Sequence, residues 1–334
     1  MASRILIGEI GLSHEGSVGS AISMVQRAKE VGLDAVKFQM HFPEFESTND
    51  ERFRVNVFPQ DKSRFDYWQR TSFTKDEWTY IYRFCQKIDI SFLCTPFSKE
   101  AALFLKSLGE ESIKIASGDF NNLELIEFAK DNFNTIYLST GFCYLDEIES
   151  TYKLLSSGKA TNVVLLQCTS KYPTPLCDVG LDLFSWFEKR QINYGLSDHT
   201  GNKHVIMAAI SKGAQVIEFH LVFSRSQFGP DAHASLTFEE AKEVVDFKNV
   251  YQEVSSPNYS KDAVAKELEE VRRIFGRGLA LRVNKEKGEL VLREDLVLKK
   301  PHSKYGWSHV DKFAGRKLAQ NVPSNRHISE EDFE

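Results

Sequence analysis

Charged and hydroxyl-bearing residues recur near the carboxyl ends of short apolar segments in the first two thirds of the chain. Lys37 and Lys114 lie inside such segments, where a buried ammonium is costly unless an anion meets it. Phosphate and carboxylate groups are suitable anions, because they accept charge-assisted hydrogen bonds. Hydroxyls that could donate to the same anion are those of Ser117, Ser139 and Ser197. These residues predict a small-anion site, with pairing of the lysines to Glu9 and Glu218 as the alternative.

Two histidines, His199 and His220, lie at the ends of consecutive apolar segments. Neutral imidazole is a common ligand of divalent transition metals. Two protein ligands leave coordination positions open for substrate and water, which suits Lewis-acid catalysis. Their positions in the sequence leave both a metal site and a structural role open.

Carboxylates could orient hydroxyl groups or move protons in such a site. The candidates are Glu9, Asp119 and Asp231. Asp231 belongs to the turn-forming segment 229–233, Gly-Pro-Asp-Ala-His, so capping of that turn is its alternative role. His14 and Glu15 fall in a Gly-flanked loop, which is most simply interpreted as a surface turn.

The elements that would position these residues alternate regularly. Eight segments rich in β-branched and aromatic residues are predicted strands: 4–10, 35–40, 91–97, 112–117, 135–140, 162–168, 192–198 and 215–221. Segments with helical periodicity follow, for example 20–32, 74–88, 99–109 and 237–251. This alternation indicates a parallel sheet, and eight units match a (β/α)8 TIM barrel. An open doubly wound sheet is the alternative, but no Gly-x-Gly-x-x-Gly fingerprint follows the first strand.

The active sites of such barrels lie at the C-terminal ends of the strands, which is where the polar residues fall. Side chains two residues apart share one face of a strand. Lys37 and Gln39 can therefore both point inward, as can Glu218 and His220. Solvation explains one polar strand end, but it does not explain eight that converge.

Three other segments depart from this alternation. Residues 41–73 form a long loop, and its aromatic content favours an ordered segment. After a barrel at 1–255, a linker with a charged helix is predicted at 256–276. Residues 277–334 have short strand-like segments and turns, which are typical of a small β-rich domain.

The composition argues against several functional classes. Among 334 residues, 42 Lys and Arg face 47 Asp and Glu, and a net charge of −5 argues against a general nucleic-acid-binding protein. No apolar run reaches the length of a transmembrane helix, and no signal peptide is recognised, so no membrane partner is expected. The five cysteines form no Cys-x-x-Cys pair, so reduced thiols in a cytoplasmic protein are expected.

Nine segments, in order along the chain, resemble motifs of the sialic acid synthases. They are EIGLSHEGS (9–17), AVKFQ (35–39), CTPFS (94–98), KIASGDFNN (114–122), LSTGF (138–142), QCTSKYPTP (167–175), GLSDHT (195–200), IEFHL (217–221) and GPDAHASL (229–236). The combination of HEGS, CTSxYPTP and SDHT is distinctive. The segment KGELVLREDLVLKKP (287–301) resembles the small antifreeze-like domain that ends family members.

The resemblance implies a (β/α)8 barrel followed by an antifreeze-like domain that is swapped between the subunits of a homodimer. The implied reaction condenses phosphoenolpyruvate with an N-acetylhexosamine such as N-acetylmannosamine. It yields a nine-carbon 2-keto sugar acid, N-acetylneuraminate, and releases phosphate by C–O cleavage. A divalent metal, usually Mn²⁺ with Mg²⁺ or Co²⁺ as alternatives, would be held by His199 and His220, and His220 would thereby take part in catalysis.

The same resemblance implies roles for further residues. The phosphoenolpyruvate site would contain Lys37, Lys114, Ser117, Ser139, Ser197 and Tyr172. The residues that face the sugar or assist proton transfer would be Glu9, Gln39, Asp119 and Asp231. Three expected site residues differ from the common family pattern: Asp119 stands for glutamate, Ser170 for asparagine and Lys300 for an arginine that reaches the N-acetyl group.

Lys300 also bears on the choice of sugar. Lysine cannot reproduce the planar bidentate contact of arginine, so this position points to a different N-acyl sugar or to a water-mediated contact. The alternative within enzymes is therefore a sister synthase for legionaminic or pseudaminic acid that uses a 2,4-diacetamido sugar. The alternative outside enzymes is a non-catalytic carbohydrate-binding relative, against which the full set of lysines and histidines argues.

Overall fold

The computed structural model describes residues 4–55, 60–255 and 258–334. The chain divides into two compact units, Met1–Ser255 and Ser256–Glu334. The predicted barrel, long loop and linker include residues 1–3, 56–59 and 256–257, which lie outside the described residues. Within the described ranges, no helix is long and apolar enough to cross a membrane.

Eight parallel strands form the centre of the first unit. They are β1 (Ile5–Gly11), β2 (Ala35–Met40), β3 (Ser91–Pro96), β4 (Ser112–Ile115), β5 (Thr135–Ser139), β6 (Asn162–Cys168), β7 (Asn193–Asp198) and β8 (Val216–Val222). Their hydrogen-bonded order is β3-β2-β1-β8-β7-β6-β5-β4, and the end strands β3 and β4 contact one another. The sheet is an almost closed barrel, which confirms the predicted architecture over an open sheet. A short strand, β9 (Leu236–Thr237), also pairs with β8.

Helices in this unit connect the strands. They are α1 (Val18–Val31), α2 (Pro43–Glu46), α3 (Arg64–Thr71), α4 (Lys75–Lys87), α5 (Lys99–Ser107), α6 (Leu123–Asn132), α7 (Leu145–Ser156), α8 (Phe184–Lys189), α9 (Lys203–Ser211) and α10 (Phe238–Val254). Local sequence sets their starts: a capping box joins Thr74 to Glu77 at α4, and another joins Thr237 to Glu240 at α10. Gly32, with φ of 90°, ends α1 in the left-handed conformation.

The inward face of the strands changes from apolar to polar over two residues. One interior layer is apolar and consists of Ile7, Ala35, Leu93, Tyr137, Val164, Leu166 and Val216. Two positions further along, the same face carries Glu9, Lys37, Thr95, Ser139 and Glu218. Because all strands run in one direction, these polar side chains meet at one end of the barrel, next to a packed apolar layer.

The connection after β2 is ordered in its described part, where it forms α2 and α3. It also covers the loop after β1, so the prediction that His14 lies in a surface turn is wrong. The His14 side chain is buried, and its ring stacks on Phe73 with centroids 4.4 Å apart. Burial lowers the pKa of His14 to about 3, so the ring is neutral and its Nδ1 accepts from the Gly16 amide at 3.0 Å.

The second unit contains short elements. They are α11 (Lys261–Glu267), α12 (Glu269–Phe275), β10 (Gly278–Leu281), β11 (Leu290–Val291), β12 (Leu296–Lys299), α13 (Val310–Phe313) and β13 (Arg316–Lys317). The single predicted linker helix is two helices that meet at Leu268, and neither contains a buried residue that would enforce one longer helix. The strands pair antiparallel, β10 with β12 and β11 with β13. Likeness to an antifreeze-like domain stays a prediction.

Candidate active site

A cavity of about 460 Å³ opens at the C-terminal ends of the barrel strands. Most of the residues predicted from the sequence line it: Glu9, Lys37, Gln39, Lys114, Ser117, Asp119, Ser139, Ser170, Tyr172, Ser197, His199, His220 and Asp231. Lys300 belongs to the second unit, where its ammonium lies 4.9 Å from the centre of the Phe275 ring. The strand-end pattern therefore identified one common cavity, while the role of each residue stays a prediction.

The two lysines are buried and paired with internal carboxylates. Lys37 Nζ lies 2.7 Å from Glu9 Oε2 and 3.7 Å from Glu218 Oε1. Lys114 Nζ lies 3.9 Å from Glu218 Oε2. The alternative considered for the lysines, pairing with Glu9 and Glu218, is thus present in the structure. Two ammonium groups and two carboxylates make this lysine–glutamate cluster formally neutral.

The two lysines differ in how well their charges are compensated. Burial acts to lower the pKa of Lys37, but the carboxylates of Glu218 and Glu9 outweigh it and raise that pKa. Burial lowers the pKa of Lys114, and Glu218 offsets this only in part. Lys114 Nζ instead donates to the neutral oxygens of Ser139 at 2.7 Å and Ile115 at 3.2 Å. An anion in the cavity would therefore stabilise charged Lys114 more than charged Lys37.

Hydroxyl groups complete this side of the cavity. The Thr95 hydroxyl accepts from Lys37 at 3.0 Å, and the Ser197 hydroxyl donates to Glu218 at 3.1 Å. Ser117 Oγ accepts from the backbone amide of Gly141 at 2.8 Å, and the same hydroxyl hydrogen-bonds to the Cys168 side chain. Such an arrangement can bind a phosphate or carboxylate with both charged and neutral donors.

The two candidate metal ligands are adjacent. The ring centroids of His199 and His220 are 5.3 Å apart, and the Tyr172 ring lies 4.2 Å from that of His199. Burial and the neighbouring His220 hold the pKa of His199 well below its ordinary value, so the ring is neutral. Its Nδ1 lies 3.4 Å from the Thr169 carbonyl oxygen and 3.6 Å from Cys168 Sγ. Donation from Nδ1 to that carbonyl leaves the lone pair of Nε2 available to a metal.

This donor set fits a divalent transition metal as a two-histidine site. Neutral imidazole nitrogens on neighbouring strands are suitable ligands. In the described ranges, no group of three or more His, Cys, Asp or Glu side chains is arranged to hold a metal. The remaining ligands of a bound metal would therefore come from substrate and water.

Asp119 is a candidate proton carrier on the same cavity wall. Its Oδ1 accepts from Asn122 Nδ2 at 3.2 Å, while its buried Oδ2 has no hydrogen-bond partner among the described residues. Burial raises the pKa of Asp119 to about 6. The carboxyl group can therefore hold or release a proton close to neutral pH.

The raised pKa of Asp119 predicts that this residue reduces stability at neutral pH. A carboxyl whose pKa rises on folding binds protons more tightly in the folded state, so stability falls as pH rises from about 4 to about 6. We expect Asp119→Asn to increase the free energy of unfolding by about 2 kcal/mol at pH 7 and to have little effect at pH 4. Urea denaturation at both pH values measures this. Asp182→Asn, at an exposed carboxylate, is the control, and an equal gain at both pH values would contradict the prediction.

Sequence reasoning missed Arg54, in the long connection. Its guanidinium lies 3.9 Å from the centre of the Tyr172 ring, and its Nη2 is 2.6 Å from Asp231 Oδ1. The Asp231 side chain thus pairs with Arg54 and makes no capping hydrogen bond to its own turn. The only signal for Arg54 was its position in a long ordered loop, because an arginine 177 residues away from its partner follows no local pattern.

Comparison with known proteins identifies the group to which this barrel belongs. A family model described as the NeuB family matches residues 24–257. The chain belongs to the NeuB family. This match covers most of the barrel and includes all the predicted site residues except Glu9 and Lys300.

Relatives of this NeuB-family chain are named as sugar acid synthases. An N,N'-diacetyllegionaminic acid synthase of Legionella pneumophila is 28% identical, over 98% of this chain and 94% of the relative. A pseudaminic acid synthase of Campylobacter jejuni is 30% identical, over 98% and 96%. The crystal structure of a Leptospira borgpetersenii N-acetylneuraminic acid (sialic acid) synthetase in complex with citrate is 28% identical. It covers 81% of this chain and 91% of that one, with a TM-score of 0.70. The resemblance to sialic acid synthases is confirmed.

Proposed function

We propose that this NeuB-family protein condenses phosphoenolpyruvate with an N-acylated aminohexose, N-acetylmannosamine in the first instance. The products would be a nine-carbon 2-keto sugar acid, N-acetylneuraminate, and inorganic phosphate. The observation that carries this proposal is the cavity itself, which brings Lys37 and Lys114 together with His199 and His220. A buried anion site beside two adjacent imidazoles suits a phosphorylated acid and an aldehyde that react with each other.

Phosphoenolpyruvate would bind on the side of the cavity lined by Lys114, Ser139 and Ser117. Lys114 gains most from an added anion, because Glu218 compensates its charge only in part. Lys37 would hold the second anionic group of phosphoenolpyruvate. Because it is already paired with Glu9, it would also keep Glu9 oriented. The neutral cluster makes the site selective for a ligand that offers hydrogen-bond acceptors as well as charge.

In the proposed reaction, C3 of phosphoenolpyruvate attacks the aldehyde carbon of the open-chain sugar and forms a C–C bond. The aldehyde oxygen takes up a proton, for which Asp119 is the candidate donor. Water then adds to C2 and loses one proton, and the resulting hydroxyl loses the second proton as the C2–O bond to phosphate breaks, which leaves the 2-keto group and inorganic phosphate. His199 and His220 would hold the divalent metal, most simply Mn²⁺, which when bound supplies Lewis-acid polarisation of the aldehyde.

A second candidate function is supported by the named relatives. The Legionella and Campylobacter proteins are named as synthases of N,N'-diacetyllegionaminic and pseudaminic acid, with identities of 28% and 30%. Those names favour a 2,4-diacetamido sugar for this chain as much as N-acetylmannosamine. Lys300 agrees with the second candidate, since it cannot make the bidentate contact of an arginine. The C-terminal unit would reach the site of the partner subunit in a domain-swapped homodimer.

Phosphate release from phosphoenolpyruvate tests both candidates. We expect release only when a hexosamine is present, so the assay uses N-acetylmannosamine and the 2,4-diacetamido sugars in parallel. Removal of the metal with a chelator should abolish release, and Mn²⁺ should restore it, because the two-histidine site needs the metal for Lewis-acid catalysis. No release with any of these sugars would count against the proposed function and favour a carbohydrate-binding protein. Release that survives chelation would count against the metal.

A further inference from the structure

His41 is a buried residue at the cavity for which the proposed reaction gives no role. It follows Lys37 and Gln39 at intervals of two residues and continues their inward face beyond β2. Its ring lies between Trp68 and Phe97, with centroid distances of 4.1 and 4.5 Å and nearly parallel planes. This stack fixes the plane of the ring, so only its two nitrogens are left for polar contacts.

Both nitrogens have polar partners. Nδ1 lies 2.5 Å from Glu46 Oε1, and Nε2 lies 3.4 Å from Gln39 Oε1. Gln39 in turn donates from Nε2 to Glu9 Oε1 at 2.9 Å. The other oxygen of Glu9 lies 2.7 Å from Lys37 Nζ, which joins this chain of contacts to the lysine–glutamate cluster.

The chain of contacts has one consistent direction. Glu9, paired with an ammonium, is an acceptor, so Gln39 must present its NH₂ group to Glu9 and its oxygen to His41. An amide oxygen only accepts, so the 3.4 Å contact from Gln39 Oε1 to His41 is a hydrogen bond in the tautomer that carries the proton on Nε2.

We infer that His41 and Glu46 are positioning residues that hold the Gln39 amide in one orientation, with its second N–H directed to the substrate. An unrestrained glutamine can flip and present either a donor or an acceptor. A fixed amide presents only the donor, so it selects a ligand with an acceptor at that point, such as the carbonyl of an N-acyl group. This inference rests on the proposed function, because it concerns the sugar that would lie beside Gln39.

Two substitutions separate the hydrogen bonds of His41 from its stacking. His41→Phe keeps a flat ring between Trp68 and Phe97 but removes both nitrogens. His41→Gln loses the ring but places an amide N–H near the former Nε2. In phosphate-release kinetics of the full-length enzyme, we expect His41→Phe to raise KM for the sugar about 10-fold, with KM for phosphoenolpyruvate unchanged. We expect the KM for the sugar in His41→Gln to return most of the way from the His41→Phe value to the wild-type value. If His41→Gln is the weaker variant, or if neither changes KM for the sugar, the inference is overturned.

A measurement that needs no turnover distinguishes failure of this inference from failure of the proposed function. Nitrogen-15 NMR of the histidine rings in the intact protein should show a protonated Nε2 for His41, assigned by the signal lost in His41→Gln. An Nε2 without a proton would overturn the inference whatever the activity. A protonated Nε2 in a protein that releases phosphate with no sugar would support the fixed amide and refute the proposed function.

Discussion

Replacing His220 with alanine is expected to lower phosphate release by about 1,000-fold or more while the protein stays folded. His199 and His220 are the two adjacent imidazoles that would hold the metal, with ring centroids 5.3 Å apart. One remaining imidazole is a poor divalent-metal site, and the Lewis acidity lost is worth several kcal/mol of the barrier. Initial rates with saturating Mn²⁺, phosphoenolpyruvate and the preferred sugar measure the effect.

His204→Ala is the matched control for this variant. His204 is an exposed histidine on α9, and its Nδ1 contacts only Asn202 among the described residues. We expect it to retain full activity and Mn²⁺ binding, whereas His220→Ala should lose the bound Mn²⁺ in a titration. Phosphate release by His220→Ala within about 10-fold of the wild-type rate would contradict the assignment of His220 to a catalytic metal.

Strand periodicity explains why so much of the candidate site could be predicted. Residues that repeat at intervals of two along a parallel strand share one face, and the strands of a barrel all end at the same rim. Lys37 and Gln39 on β2 and Glu218 and His220 on β8 followed this rule, and the structure places all four at one cavity. The same rule extends to His41, although residues 41–73 are predicted to be a loop.

Contacts across long sequence separations could not be predicted in the same way. Arg54 meets Tyr172 and Asp231 only because the described part of the long connection folds over the cavity. His14 is buried because Phe73 covers it, which a Gly-flanked loop gives no reason to expect. Such pairings depend on tertiary packing, and local patterns carry no information about them.

The balance of charge in the cavity was the least predictable property. Burial of Lys37 and Lys114 was expected, but whether an anion or an internal carboxylate meets them depends on which strands are neighbours. β1 lies between β2 and β8, which brings Glu9 beside Lys37 and Glu218 within reach of both lysines. The two lysines therefore share carboxylates unequally, and this inequality predicts different consequences when each is removed.

Lys37→Met is expected to destabilise the fold, whereas Lys114→Met is expected to impair phosphoenolpyruvate binding. Removing Lys37 leaves Glu9 without its 2.7 Å partner inside the barrel, and an unpaired buried charge of this kind costs about 3–5 kcal/mol. Removing Lys114, whose ammonium is 3.9 Å from Glu218, still leaves Glu218 with Lys37 at 3.7 Å and the Ser197 hydroxyl, so the free energy of unfolding should fall less than in Lys37→Met. Urea denaturation of the two variants, which differ only in position, measures the contrast.

Among folded variants, activity with phosphoenolpyruvate should be reduced more by Lys114→Met than by Lys37→Met. Of Lys37 and Lys114, Lys114 has the less compensated charge, so an incoming phosphate or carboxylate gains more from it. We expect Lys114→Met to lower kcat/KM for phosphoenolpyruvate by about 100-fold or more, because a charge-assisted contact in a buried site is lost. Lys114→Arg, which keeps the charge, should recover part of this loss. A Lys114→Met enzyme that binds phosphoenolpyruvate normally, or that is less stable than Lys37→Met, would mean that Glu218 rather than the substrate is the partner for which Lys114 is buried.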